Sequence, residues 1–215
     1  SGCCLKFADK ADENHNEIVQ YIDLAVKLKT PYIRILGDLE PCADGEVDDE
    51  VVLAALRRLI PIAEEKGVIL LVETNGVYAD TKRLCNLLNE AASDAVGALW
   101  DMHHPYRYQG ESAGTTVQNL GVYIKHVHVK DSVIEEGKAS YRMMGEGDLP
   151  IDDFMLALRS INYDGYVSLE WVKRWARDLG DAGIVFPHFA NYMSRYLEKD
   201  VQKGHLFYNN AKTGQ

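Results

Sequence analysis

The stretch "KHVHVKD", residues 125–131, sets a strand signal against polar side chains gathered on one face. Side chains alternate along a strand, so Val127 and Val129 share one face while His126, His128 and Lys130 share the other. Asp131 closes the run. A buried strand carries imidazoles either because neighbours satisfy them in a polar interior or because they belong to a site at its end. The stretch alone fits both readings, and the segments on either side of it decide between them.

Other short apolar runs read as strands: "CCLKF" (3–7), "YIRIL" (32–36), "VILLVE" (68–73), "VGALWD" (96–101) and "YVSLE" (166–170). Helical periodicity fills the intervals. "NEIVQYIDLAVKLK" (16–29) places Ile18, Ile22, Ala25 and Val26 on one face. "DEVVLAALRRLIPIAEEKG" (49–67) stops at Gly67, a natural helix terminator, and carries Pro61 as a candidate bend or break. "DTKRLCNLLNEAA" (80–92) opens on Asp80 as N-cap, and "PIDDFMLALRSI" (150–161) opens on Pro150, well placed at a helix start. "DAGIVFPHFANYMSRYLEKD" (181–200) supplies a last helix.

Strands recurring about every 30–40 residues with helices between them are the repeat of a parallel α/β protein. Their near-continuous apolar character fits strands buried on both faces. No linker-like stretch divides the chain, so one domain is expected over residues 1–215, with 199–215 as a polar C-terminal extension. No GxGxxG or GxxxxGK[ST] follows a strand, which weakens a nucleotide-binding open sheet against a (β/α)8 TIM barrel. A barrel needs eight strands, so the expected architecture is a barrel lacking its first two βα units, N-terminally incomplete, with strands three to eight present.

Composition narrows the function. The chain carries 33 acidic against 23 basic residues, a formal charge of −10, which argues against nucleic acid as a partner. No apolar run approaches the ~18–20 residues of a membrane span, so no membrane partner is expected. The opening "SGCCLKFADKADE" turns charged too soon for a signal peptide. Cys3, Cys4, Cys42 and Cys85 follow no zinc-finger or CxxC spacing and read as reduced thiols of a cytoplasmic protein.

The strand ends carry the chemistry. "VILLVE" finishes in Glu73, "VGALWD" in Asp101 and "YVSLE" in Glu170, while "KHVHVK" holds His128 near its end. In parallel α/β folds the active site lies at these carboxyl ends. A solvated turn residue accounts for any one of them and accounts poorly for the ordered set. Three carboxylates and an imidazole make a mostly hard-oxygen site for one divalent cation; Mn²⁺, Mg²⁺ and Co²⁺ are favoured and Zn²⁺ is compatible.

The ordered motifs "VETNG", "WDMHHP", "HVHVKD", "MGEGDLPIDDF" and "INYDGYVSLEW" resemble the sugar phosphate isomerase/epimerase superfamily, the xylose isomerase-like TIM barrels. The resemblance runs from "PYIRILGD" (31–38) to about residue 198. It implies Glu73, Asp101, His128 and Glu170 as metal ligands at the ends of strands five to eight, with "CCLKF" as the third strand. His126 then becomes a supporting residue.

The resemblance also implies carbonyl chemistry. A metal-bound hydroxy-carbonyl substrate has an acidic neighbouring C–H, and Glu73 and Glu170 exchange its proton as catalytic acid and base. His104 matches a substrate-binding histidine of the ketose 3-epimerase branch, and Lys130 and Arg142 are further substrate-binding candidates. The branch's additional Glu and Arg are replaced here by Ala79 and Ile134. The expected function is a divalent-metal-dependent isomerase or epimerase of a small sugar or polyol, in carbohydrate metabolism, with a homodimer as the family expectation. Its competitors are a dehydratase of the inosose or dehydroshikimate kind and a non-catalytic truncated barrel. The DNA-repair endonuclease branch is disfavoured by the acidic balance.

Overall fold

The computed structural model describes residues 2–202. It divides into two compact units, Ser1–His128 and Val129–Gln215.

In the first unit α1 (Ala11–Leu28) buries Ile18, Ile22 and Ala25 of the expected stripe, whereas Val26, also expected on that face, is 44% exposed. The strand β1 (Tyr32–Ile35) follows. Next, α2 (Asp49–Lys66) starts where the Asp48 side chain accepts from the Glu50 amide and stops at Gly67, φ 63°. It runs through Pro61 unbroken, because that ring lies on the exposed side, where water can serve the carbonyl it leaves unbonded. The strand β2 (Ile69–Glu73), α3 (Thr81–Ala91, capped by Asp80) and β3 (Val96–Asp101) repeat the pattern.

Two further helices precede the next strand, α4 (His103–Gln109) and α5 (Ala113–Leu120). Neither was expected. α4 has no apolar stripe, being built from His, Tyr and Arg, and its start is fixed by a side-chain cap that the sequence pattern does not reveal. The strand β4 (Ile124–Val129) completes the run.

The strands pair in parallel, with Ile35 opposite Val72, Glu73 opposite Leu99 and Asp101 opposite His128. Their carboxyl ends therefore come out on one edge. "CCLKF" is a correction: only Cys4 forms a bridge, to Leu36, and the chain turns at Leu5 and Lys6. The turn delivers the Lys6 ammonium to buried Asp38, 2.7 Å away, an ion pair that competes with continuing the strand.

The second unit opens with an antiparallel hairpin, β5 (Asp131–Glu135) and β6 (Lys138–Arg142), which is not among the strands expected from the sequence. Glu136 and Gly137 turn it with φ of 49° and 77°, the left-handed pair that matches strand twist in a two-residue connection. α6 (Ile151–Ser160), β7 (Val167–Leu169) and α7 (Ala182–Gln202) follow. Of the extension expected at 199–215, residues 199–202 belong to α7 and 203–215 lie outside the described residues. No helix among the described residues is long and apolar enough to cross a membrane.

One buried carboxylate organises the second unit's "MGEGDLP" loop. Asp131, 1% exposed, accepts from the amides of Ser132 (2.9 Å), Gly145 (2.9 Å), Gly147 (3.0 Å) and Leu149 (3.3 Å). Four donors offset the desolvation of one charge. The wrap is tight enough that a Cβ on Gly147 would fall 2.0 Å from Asp131 Oδ1 and 2.6 Å from the Ser132 carbonyl. Gly147→Ala is therefore expected to destabilise the protein by about 1–3 kcal/mol, as overpacking does, lowering the urea midpoint.

Candidate metal centre

The parallel register brings three polar strand ends together in the first unit. β2 ends in Glu73 and β3 in Asp101, and His128 is the penultimate residue of β4. Glu73 and Asp101 are both fully buried. One ligand-type atom from each of Glu73, Asp101 and His128 lies within 4.8 Å of the others.

Both oxygens of Glu73 are engaged. Oε1 lies 3.0 Å from His128 Nδ1, and Oε2 accepts from Arg34 Nε at 2.7 Å with the Arg34 Nη2 also in contact. Burial pushes the Glu73 pKa up, but the His128 hydrogen bond and the Arg34 charge outweigh it and hold the carboxyl at about 2. A carboxylate accepts only, so the His128 Nδ1 at this contact carries the proton.

Asp101 serves its own chain as well. Its Oδ1 accepts from the amides of His103 (2.9 Å) and His104 (3.3 Å), which starts α4 directly after β3. His104 Nε2 stands 3.8 Å from Asp101 Oδ2, and Asp101, His103 and His104 form a second group whose ligand-type atoms lie within 4.8 Å of one another. His126 stacks edge-on against His128 at 5.5 Å between ring centroids. Burial first, and the neighbouring His128 second, hold the His126 pKa down to about 4. His126 is therefore neutral at pH 7, a packing partner on the face the sequence assigned to it.

The donor set suits a divalent cation. Two carboxylates buried side by side repel, Asp101 raising the Glu73 pKa, and a cation among them and an imidazole offsets that repulsion.

Lys130, Arg142 and Glu170 lie in the second unit. Lys130 is 1% exposed and its ammonium pairs with the Glu170 carboxylate, whose amide donates to the Val129 carbonyl at 3.0 Å. Arg142 sits on β6 and engages the hairpin itself, through Ser140, the Tyr141 carbonyl and Glu135. Trp100, on β3, is fully buried among core residues, whereas the Trp171 indole donates to the Gly180 carbonyl at 2.9 Å. Ala79, where the epimerase branch has a glutamate, is fully buried, and Ile134 is 50% exposed on β5.

Residues 3–186 match the family described as the xylose isomerase-like TIM barrel. The chain belongs to this family. An inosose dehydratase of Clostridium perfringens is 27% identical over 159 residues, 63% of this chain and 53% of that protein. The chain thus spans about half the length of the curated relatives it matches, at 53%. Among solved structures, an L-ribulose 3-epimerase superposes with a TM-score of 0.74 at 18% identity, over 97% of this chain and 75% of that one. The IolI protein with a bound zinc atom superposes with a TM-score of 0.72 at 19% identity, over 87% and 70%. At such identities the superpositions establish the fold, α/β and TIM-barrel-like. The proteins to which the chain is similar thus include one named as a dehydratase and one named as an epimerase.

Two features of the centre escaped the sequence. Arg34 lies within "YIRIL", and the carboxylate it meets depends on how β1 is registered against β2. The contacts of Thr74, next to Glu73, left no sequence signal, since a hydroxyl's partners depend on where the neighbouring strand ends.

The Arg34–Glu73 pair has a measurable pH signature. A depressed carboxyl pKa contributes stability that is complete above the ordinary value of about 4.3 and is lost as pH falls toward the folded value. The wild-type protein is expected to lose stability between about pH 5 and 2 for this reason. Arg34→Met removes the fixed cation from a fully buried carboxylate; the expected cost is near the lower end of about 3–5 kcal/mol, because water reaches the arginine. Urea titrations at pH 3 and pH 6 check both statements: the variant should be weaker at pH 6 and show a shallower further loss at pH 3. Equal pH slopes would contradict the assigned cause.

Proposed function

We propose that the protein is a divalent-metal-dependent isomerase or epimerase of a small sugar or polyol, working by carboxylate-mediated proton transfer next to a carbonyl. The observation that carries this reading is the meeting of two fully buried carboxylates and an imidazole at the carboxyl ends of three parallel strands. In this reading Glu73, Asp101, His128 and Glu170 hold one cation. Mn²⁺, Mg²⁺ and Co²⁺ suit the oxygen-rich set, and the zinc of the IolI structure keeps Zn²⁺ among the candidates. Such an ion supplies Lewis acidity that polarises a substrate carbonyl.

The chain's own groups take the remaining roles. Glu73, held anionic by Arg34 and His128, accepts the proton from carbon, and Glu170 returns one to carbon after taking it from the Lys130 ammonium that hydrogen-bonds to it. His104, beside Asp101, Lys130 and Arg142 bind substrate oxygens in the same reading. The partner is a small molecule rather than nucleic acid or membrane, given the acidic balance; a cytoplasmic homodimer is the accompanying expectation.

A dehydratase is the second reading, favoured by the inosose dehydratase match. The two share the first proton abstraction and diverge at the next step, where elimination expels a hydroxyl next to the carbanion. Incubation with Mn²⁺ in deuterium oxide, over a panel of ketoses, inososes and dehydroshikimate, tells them apart. Deuterium at carbon with the formula otherwise intact supports the epimerase; a product lighter by one water supports the dehydratase. No exchange and no product across the panel would sink both.

Two substitutions test the assigned residues. Glu170→Gln should lower turnover by about 10²–10⁴-fold, the range for a lost general acid or base. Asp101→Asn should weaken divalent-cation binding by more than about 10-fold in calorimetry, and unchanged affinity would remove Asp101 from the ligand set.

A further inference from the structure

β2 leaves the sheet immediately after Glu73. The parallel ladder between β2 and β3 runs up to the Thr74 amide, which donates to the Leu99 carbonyl at 3.0 Å. One step on, the Asn75 amide turns back to the Glu73 carbonyl at 2.8 Å, so β2 offers β3 no further strand backbone. β3, however, continues through Asp101. Its terminal carboxylate is useful only if the backbone beneath it stays fixed.

The gap is filled by a side chain. Thr74, fully buried, accepts from the Asp101 amide through Oγ1 at 2.9 Å and donates through the same Oγ1 to the Asp101 carbonyl at 3.1 Å. One hydroxyl thus satisfies both backbone polar groups of Asp101 where the strand that would have done so has left. Because β2 has turned away, the Thr74 carbonyl is directed elsewhere: it lies 3.0 Å from His104 Nδ1. A carbonyl only accepts, so Nδ1 carries a hydrogen, and whenever the ring is neutral its lone pair sits on Nε2, the atom 3.8 Å from Asp101 Oδ2.

We propose that Thr74 is a positioning residue of the metal centre, one that fixes the Asp101 backbone and the His104 tautomer in register with Glu73. It deepens the metal-centre reading and rests on it. The hydroxyl lets β2 bend away from the sheet at Glu73 while β3 stays in place, and the carbonyl presents His104 Nε2 as a hydrogen-bond acceptor. An alanine or valine here would take the Thr74 hydroxyl away from two buried backbone groups of Asp101. A serine would not.

The test compares Thr74→Val, which keeps the volume and removes the hydroxyl, with Thr74→Ser, which keeps the hydroxyl. Calorimetry with Mn²⁺ alone should show affinity lower by about 10-fold or more for valine, and within about 3-fold of wild type for serine. In the wild-type protein the Asp101 amide should exchange with deuterium as slowly as its strand neighbours. A two-bond proton–nitrogen correlation of the His104 ring, recorded at pH 8, should place the proton on Nδ1. Unchanged Mn²⁺ affinity in the valine variant, a fast-exchanging Asp101 amide, or a proton on Nε2 overturns the proposal. The amide and ring measurements need neither variant nor metal, so they decide the matter even if the valine variant does not fold. Failure of the wild-type protein to bind any divalent cation would instead defeat the metal-centre reading, with the amide and ring signals left to judge Thr74.

Discussion

Holding Glu73 as a buried anion is the constraint on which the rest of the centre depends. A carboxylate with no exposure is costly to bury as a charge, and its natural response is to take up a proton. Arg34 on one oxygen and His128 on the other reverse that preference, and both reach Glu73 only because parallel pairing sets β1, β2, β3 and β4 side by side. A guanidinium is suited to this place, since it stays charged throughout the accessible pH range and grips a carboxylate with two nitrogens. An anion prepared in this way can bind a cation or accept a proton from carbon, and the proposed function draws on both abilities.

The same economy recurs at the other carboxylates. Asp101 offers one oxygen to the amides that begin α4, leaving the second near His104 Nε2. Asp131 is surrounded by four backbone amides and has the part of a loop organiser, which explains why glycine is required at Gly147. Glu170 is paired with an ammonium, Lys130, that is itself buried. Four carboxylates at or just beyond strand ends therefore have different partners: a guanidinium and an imidazole, helix amides, loop amides, an ammonium. Their chemistry follows from those partners, because the intrinsic carboxyl group is nearly the same in each.

Much of the frame was legible in the residues. The helices α1, α2, α3 and α6 announced themselves through apolar stripes and through Gly67, Asp80 and Pro150 at their ends, which are local signals carried within a few residues. The strand ends at Glu73 and Asp101 were legible for the same reason, as an apolar run meeting an acid. α4 was hidden because its start depends on a carboxylate cap and its composition has no stripe. The β5–β6 hairpin was hidden because Glu136 takes a left-handed conformation without being glycine or asparagine. "CCLKF" looked like a strand and is a bridge: the chain turns at Leu5 and Lys6, where Lys6 pairs with Asp38, 32 residues away in sequence.

By itself the sequence determined the parallel α/β repeat, the residue types at each strand end, and the shared face of His126 and His128 in "KHVHVKD". Those properties follow from periodicity and alternation, which act over neighbouring residues. The tertiary structure decided which groups meet: Arg34 on Glu73, Lys130 on Glu170, the Thr74 hydroxyl on both backbone groups of Asp101. Each of these joins residues 27 to 40 positions apart. Their pairing is set by strand register, and register is a property of two segments together that neither contains alone.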